Sequence, residues 1–133
     1  MTKIVLYTMA GIAIIGAITP GKAHHSIQQY YATNQSTHIE GDVVEFNYRN
    51  PHSFVELDVK DPQSGQMVRW SIEWGSLRRL EQRGVNKDSL KPGDHVIIEG
   101  YPSREARATH RLFLRSVLRP SGGWKSSRDI ARN

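Results

Sequence analysis

Between Ile39 and Val59 apolar and polar residues alternate with a period of two, and the alternation predicts two strands around a Pro-containing connection. Ile39 and Val43 share one parity, whereas Val44, Phe46 and Tyr48 share the other. A pattern that changes phase midway requires a bulge or bend near Val43–Val44, with Gly41 permitting sharp curvature just before it. In the second run Val55, Leu57 and Val59 alternate with Glu56 and Asp58. Asn50-Pro51 marks the turn between the two runs. A long bent strand leading into a second strand is how a small barrel begins.

Further along, Asp61-Pro62-Gln63-Ser64-Gly65 has hairpin-loop composition, with Pro early and Gly late. It leads to a third strand, Met67 to Trp74, with Val68, Trp70, Ile72 and Trp74 on one face and Arg69, Ser71 and Glu73 on the other. One helix is predicted over Ser76 to Gln82, with Ser76 as N-cap, Leu77 and Leu80 as an apolar pair, and Gly84 beyond its end. Pro92-Gly93-Asp94 is a turn before strand four, Asp94 to Tyr101. A charged loop, Pro102 to Thr109, separates it from strand five, His110 to Leu118. Three strands, a helix and two strands match the order of a five-stranded OB-like barrel with one helix between strands three and four. The expected fold is therefore mainly β, and its core is expected to include Val43, Val55, Leu57, Trp70, Ile72, Ile97, Leu112 and Leu114.

The first residues follow a different logic. Lys3 precedes an uncharged apolar run, Ile4 to Ile18. Pro20 and Gly21 break the run, and Gly21-Lys22-Ala23 places small residues at the −3 and −1 positions of a cleavage site. The run is shorter than the roughly 20 residues of a spanning helix. The pattern predicts a signal peptide over residues 1–23, cleavage after Ala23 and a periplasmic protein, with a retained anchor as the alternative. Residues 24–37 then form a polar arm, residues 38–120 the barrel domain, and residues 121–133 a polar, mobile tail.

Composition narrows the chemistry. There is no Cys among the 133 residues, which excludes disulfides, thiolate catalysis and Cys-based zinc sites. The formal charge is +5, and falls to +3 without Lys3 and Lys22. An excess of that size does not by itself point to nucleic acid, which a secreted protein rarely meets. No Gly-rich phosphate loop, His-Glu-x-x-His or Gly-x-Ser-x-Gly is present, so an enzyme is not the expected class.

Ala23-His24-His25-Ser26, Gly41-Asp42-Val43-Val44, Asn50-Pro51-His52, the segment Trp70 to Gly75, and Asp88 through Asp94 to Glu99-Gly100-Tyr101-Pro102 together carry a resemblance. On these motifs the chain resembles a family of small secreted proteobacterial proteins classed as a domain of unknown function. The resemblance implies secretion and a small β-barrel, and no activity.

Two sets of candidate site residues follow. A mature N-terminus at His24 would offer an α-amine and an imidazole to one ion, a chelate suited to Cu(II). His25 or a His brought close by the fold, such as His38, His52, His95 or His110, would supply a third ligand. The metal candidates are His24, His25 and His52, and copper is the alternative to no cofactor. The other set lies on the loops that OB-folds use for ligands: Asn50, His52 and Phe54 on the first connection, and Arg104, Arg107 and Arg111 at the last. Arg111, Arg115 and Arg119 read either as a positive stripe or as a face paired with acids across the barrel. Trp70 and Trp74 read as core, while Tyr48 and Phe54 are better placed for exposed stacking. The expected function is a monomeric, non-catalytic periplasmic binding or adaptor module, its partner an unidentified periplasmic protein or a small anionic ligand.

Overall fold

The computed structural model describes residues 27–128. Its strands are β1 (Thr37–Asn47), β2 (Phe54–Lys60), β3 (Met67–Glu73), β4 (His95–Pro102), β5 (Arg111–Arg119) and β6 (Trp124–Ser127). Two short helices, α1 (Ile27–Tyr30) and α2 (Leu77–Glu81), lie before β1 and between β3 and β4. The sheet order is β3-β2-β1-β4-β5-β6. A parallel pairing of β3 with β5, running from Ser71↔Arg111 to Glu73↔Phe113, closes the first five strands into a barrel. A closed five-stranded barrel with its helix between β3 and β4 is the OB-like architecture expected from the element order.

The phase change in β1 is a real bulge, because its register against β2 slips between Val43 and Glu45. The slip lets one strand serve two neighbours. Thr37 to Asp42 pair with β4, and Asp42 to Asn47 pair with β2. Gly41 sits where β1 crosses β2, and a Cβ there would overlap the Asp58 carbonyl oxygen. The glycine is thus required by close backbone approach as well as by curvature.

The core contains Val43, Val55, Leu57, Ile72, Trp74, Val96, Ile98, Leu112, Leu114 and Val117. Leu80, Val85 and Leu90 cover the end of the barrel to which α2 is attached. Leu77, expected to share that task, is only half-buried. Ser76 occupies the N-cap position of α2 but makes no side-chain cap. The Leu77 amide instead donates to Asn50 Oδ1 across 3.1 Å, so the first connection caps the helix from a distance.

Three further expectations are corrected. Ile97 lies on the outer parity of β4, and Val96 and Ile98 take the inward places. Trp70 faces inward opposite the fully buried Leu57, yet remains only partly buried, whereas Trp74 is 1% exposed. The segment expected to be a mobile tail adds an element: Gly122 and Gly123, at φ +78° and +64°, turn the chain so that β6 pairs along β5 from Ser116↔Ser127 to Arg119↔Trp124. Trp124 then packs on the core under the Arg119 guanidinium, 5.6 Å from its ring. The polar composition of that tail concealed a strand because half its residues face solvent.

The two neighbouring tryptophans differ in burial and should differ in energetic weight. Trp74→Ala is expected to cost about 3–5 kcal/mol, as large aromatic deletions from cores do, and Trp70→Ala about 1–2 kcal/mol. Urea denaturation of both variants measures the difference, and equal losses would contradict this account of the core.

Candidate functional site

The final residue of β3 is an acid that the strand alternation assigned to solvent. Glu73 is only 7% exposed. At the barrel seam β3 is flanked on one side by β2, where Phe54 pairs with Glu73, and on the other by β5. Neighbours from both sides and from the N-terminal arm cover the carboxylate.

Three side chains satisfy it. The Tyr31 hydroxyl donates to Oε2, and His52 Nδ1 meets Oε1. Arg111 donates from its terminal nitrogen to Oε2 across 3.0 Å, and from Nε to the Tyr31 hydroxyl across 3.0 Å. Each comes from a different part of the chain: the arm, the first connection and the start of β5. Burial raises the carboxyl pKa, but hydrogen bonds from Tyr31, His52 and Arg111 outweigh it and hold Glu73 below the ordinary carboxylate value. Burial, followed by the hydrogen bond to the carboxylate, pushes the Tyr31 phenol far above its usual range. Arg111 is driven further toward its charged form, because Tyr31 and Glu73 outweigh its own desolvation.

The first connection is held in shape on several sides. Asn50-Pro51 is a cis peptide. The Ser53 hydroxyl donates to the Arg49 carbonyl and accepts from the Arg49 amide, both at 3.2 Å. The Ser53 amide donates to Gly75 O at 3.0 Å, and its carbonyl accepts from the Trp74 amide at 2.7 Å. His52 is thereby presented over Glu73. A carboxylate can only accept, so the His52 proton sits on Nδ1, and Nε2 has no partner among the described residues.

Beside this network lies a cleft of about 390 Å³ lined by Arg49, Asn50, Pro51, His52, Phe54, Glu73 and Arg111. The Arg49 and Arg111 guanidiniums each stand 5.8 Å from the centre of the Phe54 ring. Arg111 is neutralised by Glu73, but Arg49 is exposed and has no acid partner among the described residues.

Of the residues expected on the rim, Asn50, His52, Phe54 and Arg111 meet in this cleft. Arg104 does not. Its Nε donates to the carbonyls of Gln28 at 3.0 Å and Tyr31 at 3.2 Å, and its amide donates to Tyr30 O at 2.8 Å. It fastens the arm that carries Tyr31. Arg107 is exposed on the loop before β5 and does not line the cleft. Tyr48 packs against the core and turns its hydroxyl to Glu81 at 3.2 Å, so stacking falls to Phe54. The later arginines are paired: Arg115 with Glu99 at 2.8 Å and Arg119 with Asp94 at 3.1 Å. The alternative of an acid-paired face is the one observed.

His24 and His25 lie outside the described residues. Among the described residues no group of three or more His, Cys, Asp or Glu is arranged to hold a metal ion. His52 turns Nδ1 to Glu73, and His95 spans Asp42 and Glu40, each at 2.7 Å.

Residues 13–112 match the family of unknown function DUF6152. The chain belongs to that family. The motifs Asn50-Pro51-His52 and Trp70 to Gly75, which carried the resemblance, surround the Glu73 network in this DUF6152 member. Among curated proteins none matches the chain. A similar solved structure is a mitochondrial single-stranded DNA-binding protein from S. cerevisiae, Rim1, with 14% identity and a TM-score of 0.47 over 62% of this chain and 90% of that one. A likeness at that level carries no functional inference.

Glu73 and Tyr31 were missed because alternation assigns one face per strand and an arm residue has no strand context. A visible clue was the isolated Tyr30-Tyr31 pair in an otherwise polar stretch. Glu73→Gln removes the charge that compensates Arg111 and is expected to cost about 2–4 kcal/mol, since breaking a buried pair leaves one partner uncompensated. The depressed Glu73 pKa makes the network's contribution complete above the ordinary carboxyl value of 4.5 and lost as pH falls through the folded-state value. Stability measured between about pH 6 and pH 3 should therefore decline less steeply in Glu73→Gln than in the wild type, and parallel curves would contradict the assignment.

Proposed function

We propose that this protein is an exported, non-catalytic binding module whose first-connection cleft takes a small anionic ligand. The observation that carries the reading is the Arg49 guanidinium against Phe54, beside Arg111 and His52 Nε2, with no acid on Arg49 and no partner on Nε2 among the described residues. Arg49 supplies planar, charge-assisted donors for a carboxylate or phosphate. Phe54 supplies a ring face for an attached planar group. Glu73 is consumed in fixing His52 and Arg111, so its negative charge is compensated and does not oppose the ligand. The Ser53 hydrogen bonds to Arg49, Gly75 and Trp74 fix the first connection before any ligand arrives, which lowers the ordering cost of binding.

Export is part of the same reading and is supported by Lys3, the apolar run Ile4 to Ile18 and the Gly21-Lys22-Ala23 site. The intact mass of protein recovered from periplasmic extract is expected to correspond to a chain starting at His24. A species retaining residues 1–23 would favour an anchor instead.

Phenyl phosphate combines the two features the cleft addresses and is the probe of choice. Calorimetric titration is expected to show a binding event that depends on Arg49 and Phe54. Arg49→Ala should weaken it by about tenfold or more, because a hydrogen bond to a charged group is worth about 1.5–3 kcal/mol. Phe54→Leu should weaken phenyl phosphate more than inorganic phosphate. Binding unaffected by Arg49→Ala would remove the proposal.

A further inference from the structure

A second cleft, also of about 390 Å³, lies at the other end of the barrel, and its walls include Ile39, Val59, Val68, Trp70, Lys60 and His110. Its origin is in the strand register. β1 and β2 pair only from Asp42↔Asp58 toward the α2 end, and β3 and β5 only from Ser71↔Arg111 onward. Beyond those points the strands diverge. Leu80, Val85 and Leu90 cover the α2 end, but among the described residues no helix follows at the opposite one.

The interior is consequently accessible there. Val68 pairs with Val59 and Trp70 with Leu57, so both lie on the inward parity of β3. Neither Val68 nor Trp70 is fully buried. Ile39 and Val59, each 8% exposed, keep the largest residual exposure in the core cluster, and both line this cleft. An inward tryptophan left partly open costs apolar burial, and burying it would require something to fill the mouth.

The lining specifies what fits. The Trp70 ring meets the His110 ring edge-on at 5.1 Å between centroids, which leaves aromatic surface beside aliphatic walls. On the rim the acids are already engaged. Glu40 holds His95 at 2.7 Å, and Asp61 accepts the Gln63 and Ser64 amides at 2.7 and 3.0 Å. Lys60 is exposed and has no acid partner among the described residues. We infer that this barrel mouth is a second ligand site, separate from the Phe54 cleft, for a small aromatic anion whose ring enters against Trp70 and whose charge meets Lys60. Ring-to-ring contact at about 4.5–7 Å favours an aromatic body over an alkyl chain, and a cleft of this size falls within the usual range for small-molecule sites.

The probe is 1-anilinonaphthalene-8-sulfonate, an aromatic sulfonate whose emission rises on leaving water. The purified protein is expected to bind it saturably at a site that depends on Trp70 and Lys60, with phenylacetate displacing it from there and octanoate displacing it poorly. Trp70→Ala and Lys60→Glu should each weaken binding by about tenfold, while Arg49→Ala leaves it within about twofold. Circular dichroism melts establish that each variant is folded. If Trp70→Ala is not, the exposed Lys60→Glu and the ring-preserving Trp70→Phe carry the test, with Trp70→Phe expected to retain binding. Unchanged affinity in Lys60→Glu, or loss in Arg49→Ala, would overturn the site. Equal displacement by octanoate would overturn the aromatic assignment. Failure of phenyl phosphate at the Phe54 cleft would leave this result unaffected, because the two clefts share no lining residue.

Discussion

A carboxylate removed from water must be given donors, and the Glu73 requirement ties together three separate parts of the chain. Its oxygens take Tyr31 from the arm, His52 from the first connection and Arg111 from β5. The residue sits at the parallel β3–β5 seam, where the barrel closes. Closure by this pairing joins residues far apart in the chain, and the network adds polar specificity at the seam where a register slip would do damage. A slip of one residue would turn Glu73 into the barrel interior, send its apolar neighbours outward and leave Arg111 without its acid.

The arm is explained by the same requirement. Tyr31 is buried, forms a bridge with Ser103 and packs edge-on against Phe113 at 5.4 Å. Arg104 then secures the backbone of α1 and of Tyr31 itself. The arm is therefore part of the folded domain from Ile27 onward, and an arginine that looks available for ligand in the sequence is spent on holding it. Charged residues elsewhere follow a similar economy: Asp58 and Arg69 are register partners at 2.6 Å, and Glu56 and Ser71 are partners at 2.7 Å.

The two ends of the barrel differ in how they are finished. At one, Asn50 caps α2 and the apolar side of the plug seals the interior, and the Phe54 cleft lies outside that seal. At the other, diverging strands leave Trp70 in the wall of an open mouth. A small barrel has few interior positions, so whether an inward residue is core or site depends on which end it occupies. Parity alone does not contain that information.

Period-two alternation by itself determined the five barrel strands, the bulge after Gly41 and the Asp61 to Gly65 hairpin, because these depend on residues adjacent in sequence. Gly65, at φ +71°, and Asp61 Oδ1 accepting from Gln63 and Ser64 are the turn chemistry that the composition of that loop dictates. The sequence also brought Asn50, His52, Phe54 and Arg111 into view as site residues, since turn signals and OB-like order place them on the ligand-bearing loops. Only the tertiary structure decided that Glu73 is buried and that Tyr31 reaches it. It also decided that Arg104 is structural, that Trp70 is open while Trp74 is closed, and that Trp124 begins a sixth strand. Each of these depends on contacts between residues far apart in the chain, across a seam or at a barrel end. Such contacts are set by register and closure, which no local periodicity encodes.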